Sequence, residues 1–246
     1  DLVDEILGPD GLARSVVVAA TSDQSPLVRR RCAWTAMTIA EHFRDAGKSV
    51  LLVADSITRF AEAHREVAIA AGEAPVLRGY PPSISHLIMS LCERAGTGAP
   101  GQGDITAVFS VLVPGSDMDE PIADILRGVL DGHVVLDRAI AERGRFPAVD
   151  VLRSVSRSLP AAATEAENDV LGQMRKHLSI YAKNELMISA GLYAKGSDPA
   201  IDAAVDVWPD LDASLGTQHD QGIPHSFDQL RLILRRAGRN APGTKA

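Results

Sequence analysis

The chain has 246 residues, of which 46% are apolar and 4% aromatic, and its formal net charge at pH 7 is −7. This apolar share suffices for one α/β domain with a smaller appended domain. The excess of acidic residues argues against a broad nucleic-acid groove, which neutralises phosphates with Lys and Arg. The two cysteines, Cys32 and Cys92, lie in apolar helical patterns, so we expect buried free thiols in a reducing compartment.

The sequence shows neither a membrane-spanning run nor a signal peptide. No apolar run approaches the ~18 residues that a membrane-spanning helix needs, and the N-terminus lacks the pattern of a signal peptide. We therefore expect a cytosolic protein. The sequence begins at Asp1 inside an apparent helix without a cap, which indicates a cut from a longer sequence.

Strands and helices alternate in the first part of the chain. In chain order, the apolar patterns first predict a helix that ends at residues 8–11, a strand over 15–20 and a helix from Pro26 to residue 46. They then predict a strand over 49–54 and a helix over about 58–71. A further helix has its predicted N-cap at Ser83 and continues to residue 95. This order is typical of the βαβ units of a parallel sheet. Trp34, Met37, Ala40 and Phe43 recur at helical spacing and are predicted core residues.

A glycine-rich segment over residues 96–103 separates these elements from the next strand. Asp104 follows it where a phosphate-binding loop has Lys and Ser or Thr, and a strand follows where such a loop has a helix, so we interpret it as a flexible loop. A strand is predicted over 104–113. An acidic turn over 114–120 then leads to a helix with Pro121 at its first position.

A tight turn at Asp131 and Gly132 leads into a strand over 133–136. After Pro160 the strand-like runs disappear, which predicts a small helical C-terminal domain. Two capping boxes are predicted there, Thr164 with Glu167 and Ser226 with Gln229, and a short helix between Pro199 and Pro209. The predicted organisation is an α/β core over residues 1–160, a helical domain over 161–236 and a disordered tail over 237–246.

The strand over residues 49–54 stops on Asp55. A continuous apolar run is typical of a parallel strand that is buried on both faces. Open α/β sheets bind ligands at the carboxyl ends of their strands, where a carboxylate can reach a metal that bridges two phosphates. Asp55 is therefore a candidate Walker B residue, and the alternative is a cap for the following helix.

Four segments, taken together, carry a family resemblance. They are residues 51–66, which include Asp55-Ser56-Ile57-Thr58-Arg59, and residues 78–83, 115–138 and 145–157. In order and spacing they resemble the nucleotide-binding and C-terminal domains of the flagellar and type III secretion export ATPases, relatives of the catalytic subunit of the rotary F-type ATP synthase. The resemblance implies a RecA-like parallel-sheet core, truncated at its N-terminal side, followed by a small α-helical C-terminal domain.

The resemblance also implies roles for four residues. Asp55 matches the Walker B aspartate, which holds Mg²⁺ through its water shell, and Arg59 matches an arginine beside the terminal phosphate of ATP. Phe146 matches the aromatic residue that packs on adenine, and Arg157 matches the arginine finger that reaches the neighbouring subunit. From the residues alone, Phe146 could instead fill the core, and Arg157 could form a surface ion pair with Asp150 or Glu165.

The chain departs from the family pattern at several points. It has no Gly-x-x-x-x-Gly-Lys-Ser/Thr segment, and the family's water-polarising glutamate and N-terminal β-barrel are absent as well. Residues 215–218 stand where the family carries a Phe-Leu pair near the adenine pocket. We therefore expect this chain alone to bind ATP weakly and to hydrolyse none.

Three functional hypotheses remain open from the sequence. The first is an ATPase of the cytoplasmic export apparatus, peripheral at the inner membrane, in a homo-hexameric ring that contacts stalk and regulator proteins, an export gate and chaperone–substrate complexes, and no nucleic acid. The second is an RNA translocase of the Rho type, against which the net acidity and the long helical C-terminus argue. The third is a non-catalytic ring subunit.

Overall fold

The computed structural model describes residues 2–116, 118–218 and 220–239. Contacts divide the chain into one unit over residues 1–130 and a second over residues 131–246. Each unit has its own hydrophobic core. The α/β core followed by helices confirms the predicted fold class, whereas the predicted domain boundaries stay a prediction.

Unit 1 has a small sheet with helices packed on it. Its elements are a π-helix (Leu2–Leu7), α1 (Gly8–Leu12), α2 (Pro26–Asp45), β1 (Val50–Ala54), α3 (Ile57–Ala70), α4 (Ser83–Cys92), β2 (Gly96–Thr97), β3 (Asp104–Phe109), a 3₁₀ turn (Pro114–Ser116) and α5 (Pro121–Val129). The strand order is β1-β3-β2, with β1 and β3 parallel and β2 antiparallel to β3. Met37, Ile84, Ile88 and Ile122 are fully buried in its core.

Unit 2 combines a two-stranded sheet with a group of helices. Its elements are β4 (Gly132–Leu136), α6 (Arg138–Glu142), β5 (Val149–Ser156), α7 (Glu165–Ser189), α8 (Pro199–Leu215) and α9 (Ile223–Arg239). β4 and β5 are antiparallel, and Met174, Val207, Leu211 and Ile233 form the core beneath the helices. Residues 240–246 of the predicted tail lie outside the described residues.

The predicted strand over residues 15–20 is wrong. The segment has no regular structure, and the Val16 and Val17 side chains are 57% and 45% exposed. A strand needs a hydrogen-bonded neighbour, and no described strand pairs with this segment. The first helical segment also differs, because it continues through Gly8 to Leu12 instead of ending at residues 8–11.

Burial of both faces of β1 was predicted from its apolar sequence and is also wrong. Burial alternates along the strand, and Leu51 and Val53 are 67% and 65% exposed. The neighbouring Val108 on β3 is 53% exposed. The described helices therefore cover one face of this sheet, which leaves an apolar face uncovered. Phe43, predicted in the core, is likewise 40% exposed near the end of α2.

Four local predictions at element ends need correction. The N-cap of α4 is Pro82, because the Ser83 side chain bonds to other groups, and Gly96–Thr97 is a short strand within the predicted loop. Ser226, a predicted N-cap, lies inside α9, and its hydroxyl donates to Gly222 O. Pro209, the predicted end of a short helix, lies inside α8. The capping box of Thr164 and Glu167 is confirmed at the start of α7.

Candidate functional site

Asp55 lies directly after β1, at the carboxyl end of the parallel pair β1/β3. Ser110 holds the equivalent position after β3, because Ala54 pairs with Phe109 in register. Ser110 Oγ donates a 2.7 Å hydrogen bond to Asp55 Oδ1. The Ser110 backbone also donates to Ala54 O at 3.0 Å. The carboxylate is thus oriented through one oxygen and keeps acceptor capacity for a further ligand.

The alternative that Asp55 caps α3 is wrong. Ser56 is the N-cap residue, and its hydroxyl accepts a hydrogen bond from Arg59 N at 3.4 Å. α3 begins at Ile57, one residue before the predicted start, and Ile57 N donates to Ser110 O at 3.0 Å. Both strand ends are therefore attached to the first turn of α3.

Arg59 lies on that first turn, close to Asp55 in the chain. Its guanidinium pairs with Glu62, with 2.9 Å between Arg59 Nη1 and Glu62 Oε2, and the arginine side chain is 66% exposed. An ion pair three residues apart on a helix contributes only about 0.2–0.5 kcal/mol. Glu62 is therefore a partner that Arg59 can exchange for an anionic ligand at little cost.

A cavity of about 330 Å³ opens beside α3. Its lining includes two arginines and two glutamates, Arg65, Arg78, Glu62 and Glu120. The Arg65 guanidinium lies 5.2 Å from the centre of the Tyr80 ring, and burial raises the pKa of the Tyr80 phenol. Glu120 caps α5, because its carboxylate accepts hydrogen bonds from Ile122 N and Ala123 N. The cavity can therefore offer arginine donors to a small polar group.

Phe146 lies in unit 2, in the loop between α6 and β5. Its side chain is 64% exposed, so the alternative that it fills the core is wrong. The neighbouring Arg145 side chain is buried, pairs with Asp212 at 2.9 Å and donates to Val149 O at 2.9 Å. A Cβ at Gly216 would lie 3.7 Å from Phe146 O, so the end of α8 lies beside this loop. The loop presents a flat apolar ring on a firmly held backbone.

Arg157 follows β5 directly and is exposed. Its backbone N–H donates to Asp131 O at 2.7 Å, which fixes the end of the strand beside the start of β4. The Asp150 carboxylate, one of its two suggested ion-pair partners, accepts from Leu152 N and Arg153 N. The four predicted residues therefore divide between the units, with Asp55 and Arg59 in unit 1 and Phe146 and Arg157 in unit 2.

Ser110 was not among the predicted site residues. The predicted strand over 104–113 runs past the point where β3 ends, which hid a polar residue at the carboxyl end of a parallel strand. The sequence does not show that β1 and β3 are neighbours. Their pairing places residue 110 opposite residue 55. Within the described part of the chain, no helix is long and apolar enough to cross a membrane.

Comparison with known proteins gives two family matches along the chain. The profile of the ATP synthase alpha/beta family, nucleotide-binding domain, matches residues 1–156. The profile of the T3SS EscN ATPase C-terminal domain matches residues 163–232. The two profiles meet near the point where the sequence predicts the change from the α/β core to helices.

Individual relatives support these matches. The flagellum-specific ATP synthase of Salmonella typhimurium is 50% identical over 223 residues, which are 91% of this chain and 48% of that protein. The chain therefore spans about half the length of the curated relatives it matches. The assembled ATPase EscN of the enteropathogenic E. coli type III secretion system is 38% identical with a TM-score of 0.86, over 92% of this chain and 55% of that one.

A second EscN structure, in complex with its central stalk EscO, is similar with a TM-score of 0.78 and 38% identity over 92% of this chain and 54% of that one. The first of the two profiles alone matches more than half of the chain. Since residues 1–156 match the model of its nucleotide-binding domain, this chain belongs to the ATP synthase alpha/beta family.

Proposed function

We propose that this chain is part of an ATP-hydrolysing motor that drives protein export in a flagellar or type III secretion apparatus. The observation that carries the proposal is the 50% identity to a flagellum-specific ATP synthase over 91% of the chain. The structural likeness to EscN over 92% of the chain supports the same class. These relatives do not favour an RNA translocase of the Rho type or a non-catalytic ring subunit.

In unit 1, Asp55 and Arg59 act on the phosphates of a bound nucleotide. A single carboxylate with one oxygen bonded to Ser110 fits outer-sphere binding of Mg²⁺, which keeps several of its waters in such sites. When bound, Mg²⁺ neutralises charge on the phosphates. Arg59 leaves Glu62 and binds the terminal phosphate, which its exposed position on the first turn of α3 permits.

In unit 2, the role proposed for Phe146 is to stack on an adenine base. Its exposed ring offers an apolar face for stacking with adenine. Arg145, held by Asp212 and Val149 O, keeps the backbone of the loop in place. Gly216, where a Cβ would lie 3.7 Å from Phe146 O, adds no second ring beside this loop.

Arg157 serves a neighbouring copy in a homo-hexameric ring. Head-to-tail contacts close such a ring and allow a finger residue to reach the nucleotide of the next subunit. An arginine finger of this kind accelerates phosphoryl transfer by ~10³ to 10⁵. By analogy with EscN and EscO, the ring contacts a stalk protein. Regulator proteins and chaperone–substrate complexes are the further partners, with the ring in the cytoplasm, peripheral at the inner membrane.

The coding sequence upstream of Asp1 and an ATPase assay test the proposal together. A Gly-x-x-x-x-Gly-Lys-Thr segment encoded there supports it, and Arg157→Ala in that longer protein should abolish turnover while nucleotide binding remains. Arg138→Ala, in an exposed helical pair with Glu142, is the matched control and should keep its turnover. Turnover that survives Arg157→Ala contradicts the role of Arg157 as an arginine finger. A coding sequence that starts at Asp1, without this segment, contradicts the proposed ATP hydrolysis.

A further inference from the structure

Four side chains in unit 1 form a continuous chain of hydrogen bonds away from the candidate site. Arg30 Nη1 of α2 lies 3.2 Å from His64 Nδ1 of α3, and His64 Nε2 lies 2.7 Å from Ser83 Oγ of α4. Ser83 donates from Oγ and from its backbone N to the two carboxylate oxygens of Glu73, at 2.7 and 2.8 Å. We call these residues the His64 network. His64 is only 7% exposed.

The donors and acceptors fix the protons of this network. A guanidinium can only donate, so His64 Nδ1 must accept from Arg30. Nε2 then carries the imidazole proton and donates to Ser83 Oγ, whose own proton goes to Glu73. In this arrangement each hydrogen bond of the His64 network has one donor and one acceptor. The arrangement requires a neutral imidazole.

Protonation of His64 breaks one link of the network. The added proton on Nδ1 would face an N–H of Arg30, so two donors and two positive charges would meet at 3.2 Å. The charged groups that face the imidazole are Arg30 from α2 and Glu73 from the loop before α4, while α4 contributes the neutral Ser83 hydroxyl. Glu73 touches Ser83 rather than the ring. The link between Nε2 and Ser83 can persist, so the break falls between α2 and α3.

Arg30 has little else to hold it in place. Its Nε is buried without a hydrogen-bond partner among the described residues. Its guanidinium lies 5.2 Å from the centre of the Trp34 ring, and Trp34 packs edge-to-face on Phe60 of α3, with 5.8 Å between ring centres. Burial lowers the pKa of His64, Arg30 lowers it further, and Glu73 opposes them.

We propose that His64 and Arg30 form a proton-sensitive junction between α2 and α3. Neutral His64 holds Arg30 over Trp34, and the imidazolium releases Arg30 to solvent. α3 starts next to Asp55 and carries Arg59, so the packing of α2 on the helix of the candidate site becomes dependent on pH. The junction uses no nucleotide, and its operation is independent of the proposed ATPase function.

Trp34 fluorescence tests the junction in the full chain. Trp208→Phe leaves Trp34 as the single tryptophan, because the sequence has two. Between pH 5 and 8 we expect a one-proton change with a midpoint below the ordinary histidine pKa of about 6.5. His64→Gln should abolish it, because the amide oxygen accepts from Arg30 and the amide nitrogen donates to Ser83 at every pH. His86→Gln, at an exposed position of α4, is the matched control and should keep the change.

The junction is overturned if the chain shows no change in Trp34 fluorescence in this pH range, or if the change persists in His64→Gln. A transition that coincides with loss of helical circular dichroism would also overturn it, since that reports global unfolding. Nitrogen NMR of the unsubstituted chain gives a second measurement that does not depend on how the variants fold. It should show the Nε2–H tautomer of His64 at pH 7.5, and an Nδ1–H tautomer or an imidazolium there would contradict the proposal.

Discussion

Ser110 Oγ and Asp55 Oδ1 are joined by a 2.7 Å hydrogen bond across 55 positions of the sequence. The parallel register of β1 and β3 makes this contact, since it pairs the last residues of the two strands. The bond gives the Asp55 carboxylate a defined orientation at the edge where open α/β sheets bind ligands. The strand pairing therefore organises the candidate site before any ligand is bound.

Replacement of Ser110 tests this orientation. Ser110→Ala should weaken binding of Mg²⁺-ATP by roughly fivefold, because a hydrogen bond of this kind contributes about 1 kcal/mol. A titration with a fluorescent ATP analogue measures the effect. Ser90→Ala, which removes an exposed hydroxyl bonded to Leu87 O within α4, is the control and should bind as the parent chain does. Equal affinities of Ser110→Ala and the parent would show that the bond has no part in binding.

The helix caps of unit 2 offer a stability test. Thr164 Oγ1 accepts from Glu167 N, and the Glu167 carboxylate accepts from Thr164 N, so both ends of the capping box are made. Thr164→Ala should lower the free energy of unfolding by about 1 kcal/mol, the usual effect of losing an N-cap. Urea denaturation followed by circular dichroism measures it.

Ser226→Ala is the control for the capping test. Ser226 lies in the first turns of α9, and its hydroxyl donates to Gly222 O, just before the helix. An N-cap side chain instead accepts from a backbone N–H, so this bond is not a cap. Surface substitutions of this kind change stability by less than about 0.5 kcal/mol. If Ser226→Ala lowered the free energy of unfolding more than Thr164→Ala does, Thr164 would not be the residue that caps a helix.

Those two boxes show how far local sequence predicts this fold. The residue pattern is the same in both, Ser or Thr followed three residues later by Glu or Gln, yet only Thr164 stands at a helix start. α9 begins earlier, at Ile223, which moves Ser226 into its first turns. Similarly, the apolar sequence of β1 predicts the strand but not how many of its faces are covered. Helix and strand identity follow from local pattern, whereas ends and burial depend on neighbours distant in sequence.

The candidate site shows the same division. Asp55 could be found because it ends an apolar run, which is a local signal. Ser110 could not, since its role exists only once β3 lies beside β1. Arg59 was found through the family resemblance, but its pairing with Glu62 depends on side-chain geometry on α3. The residues that orient the site are thus harder to predict than the residue at its centre.

The pairing of Glu41 with Arg94 predicts a dependence of stability on pH. Arg94 Nε and Nη2 bind the two carboxylate oxygens at 2.8 and 2.6 Å, and this hydrogen bonding lowers the pKa of Glu41. A lowered pKa in the folded state means that the ionised form stabilises the fold at neutral pH. That contribution should be lost as the pH falls below the ordinary glutamate pKa of about 4.3.

Glu41→Gln removes the ionised partner and tests this dependence. Its urea midpoint should lie below that of the parent at pH 7, and the difference should shrink as the pH falls through the folded-state pKa of Glu41. Glu66→Gln loses a single contact with Arg29 and is the control, with a smaller change at pH 7. A difference for Glu41→Gln that stays constant from pH 7 to pH 3 would contradict the prediction.

The uncovered sheet face gives the last prediction. Leu51, Val53 and Val108 are each more than half exposed, and Val53 pairs with Val108 across β1 and β3, so their side chains form one apolar patch. Exposed contiguous apolar patches bind hydrophobic dyes and promote association. Leu51→Lys should therefore reduce both the fluorescence of the dye ANS and the sedimentation coefficient at high concentration, with little change in stability. Leu52→Lys is the control, because Leu52 packs against the core on the opposite face and its replacement should unfold unit 1. Unchanged dye binding in a folded Leu51→Lys variant would show that the patch is covered in solution.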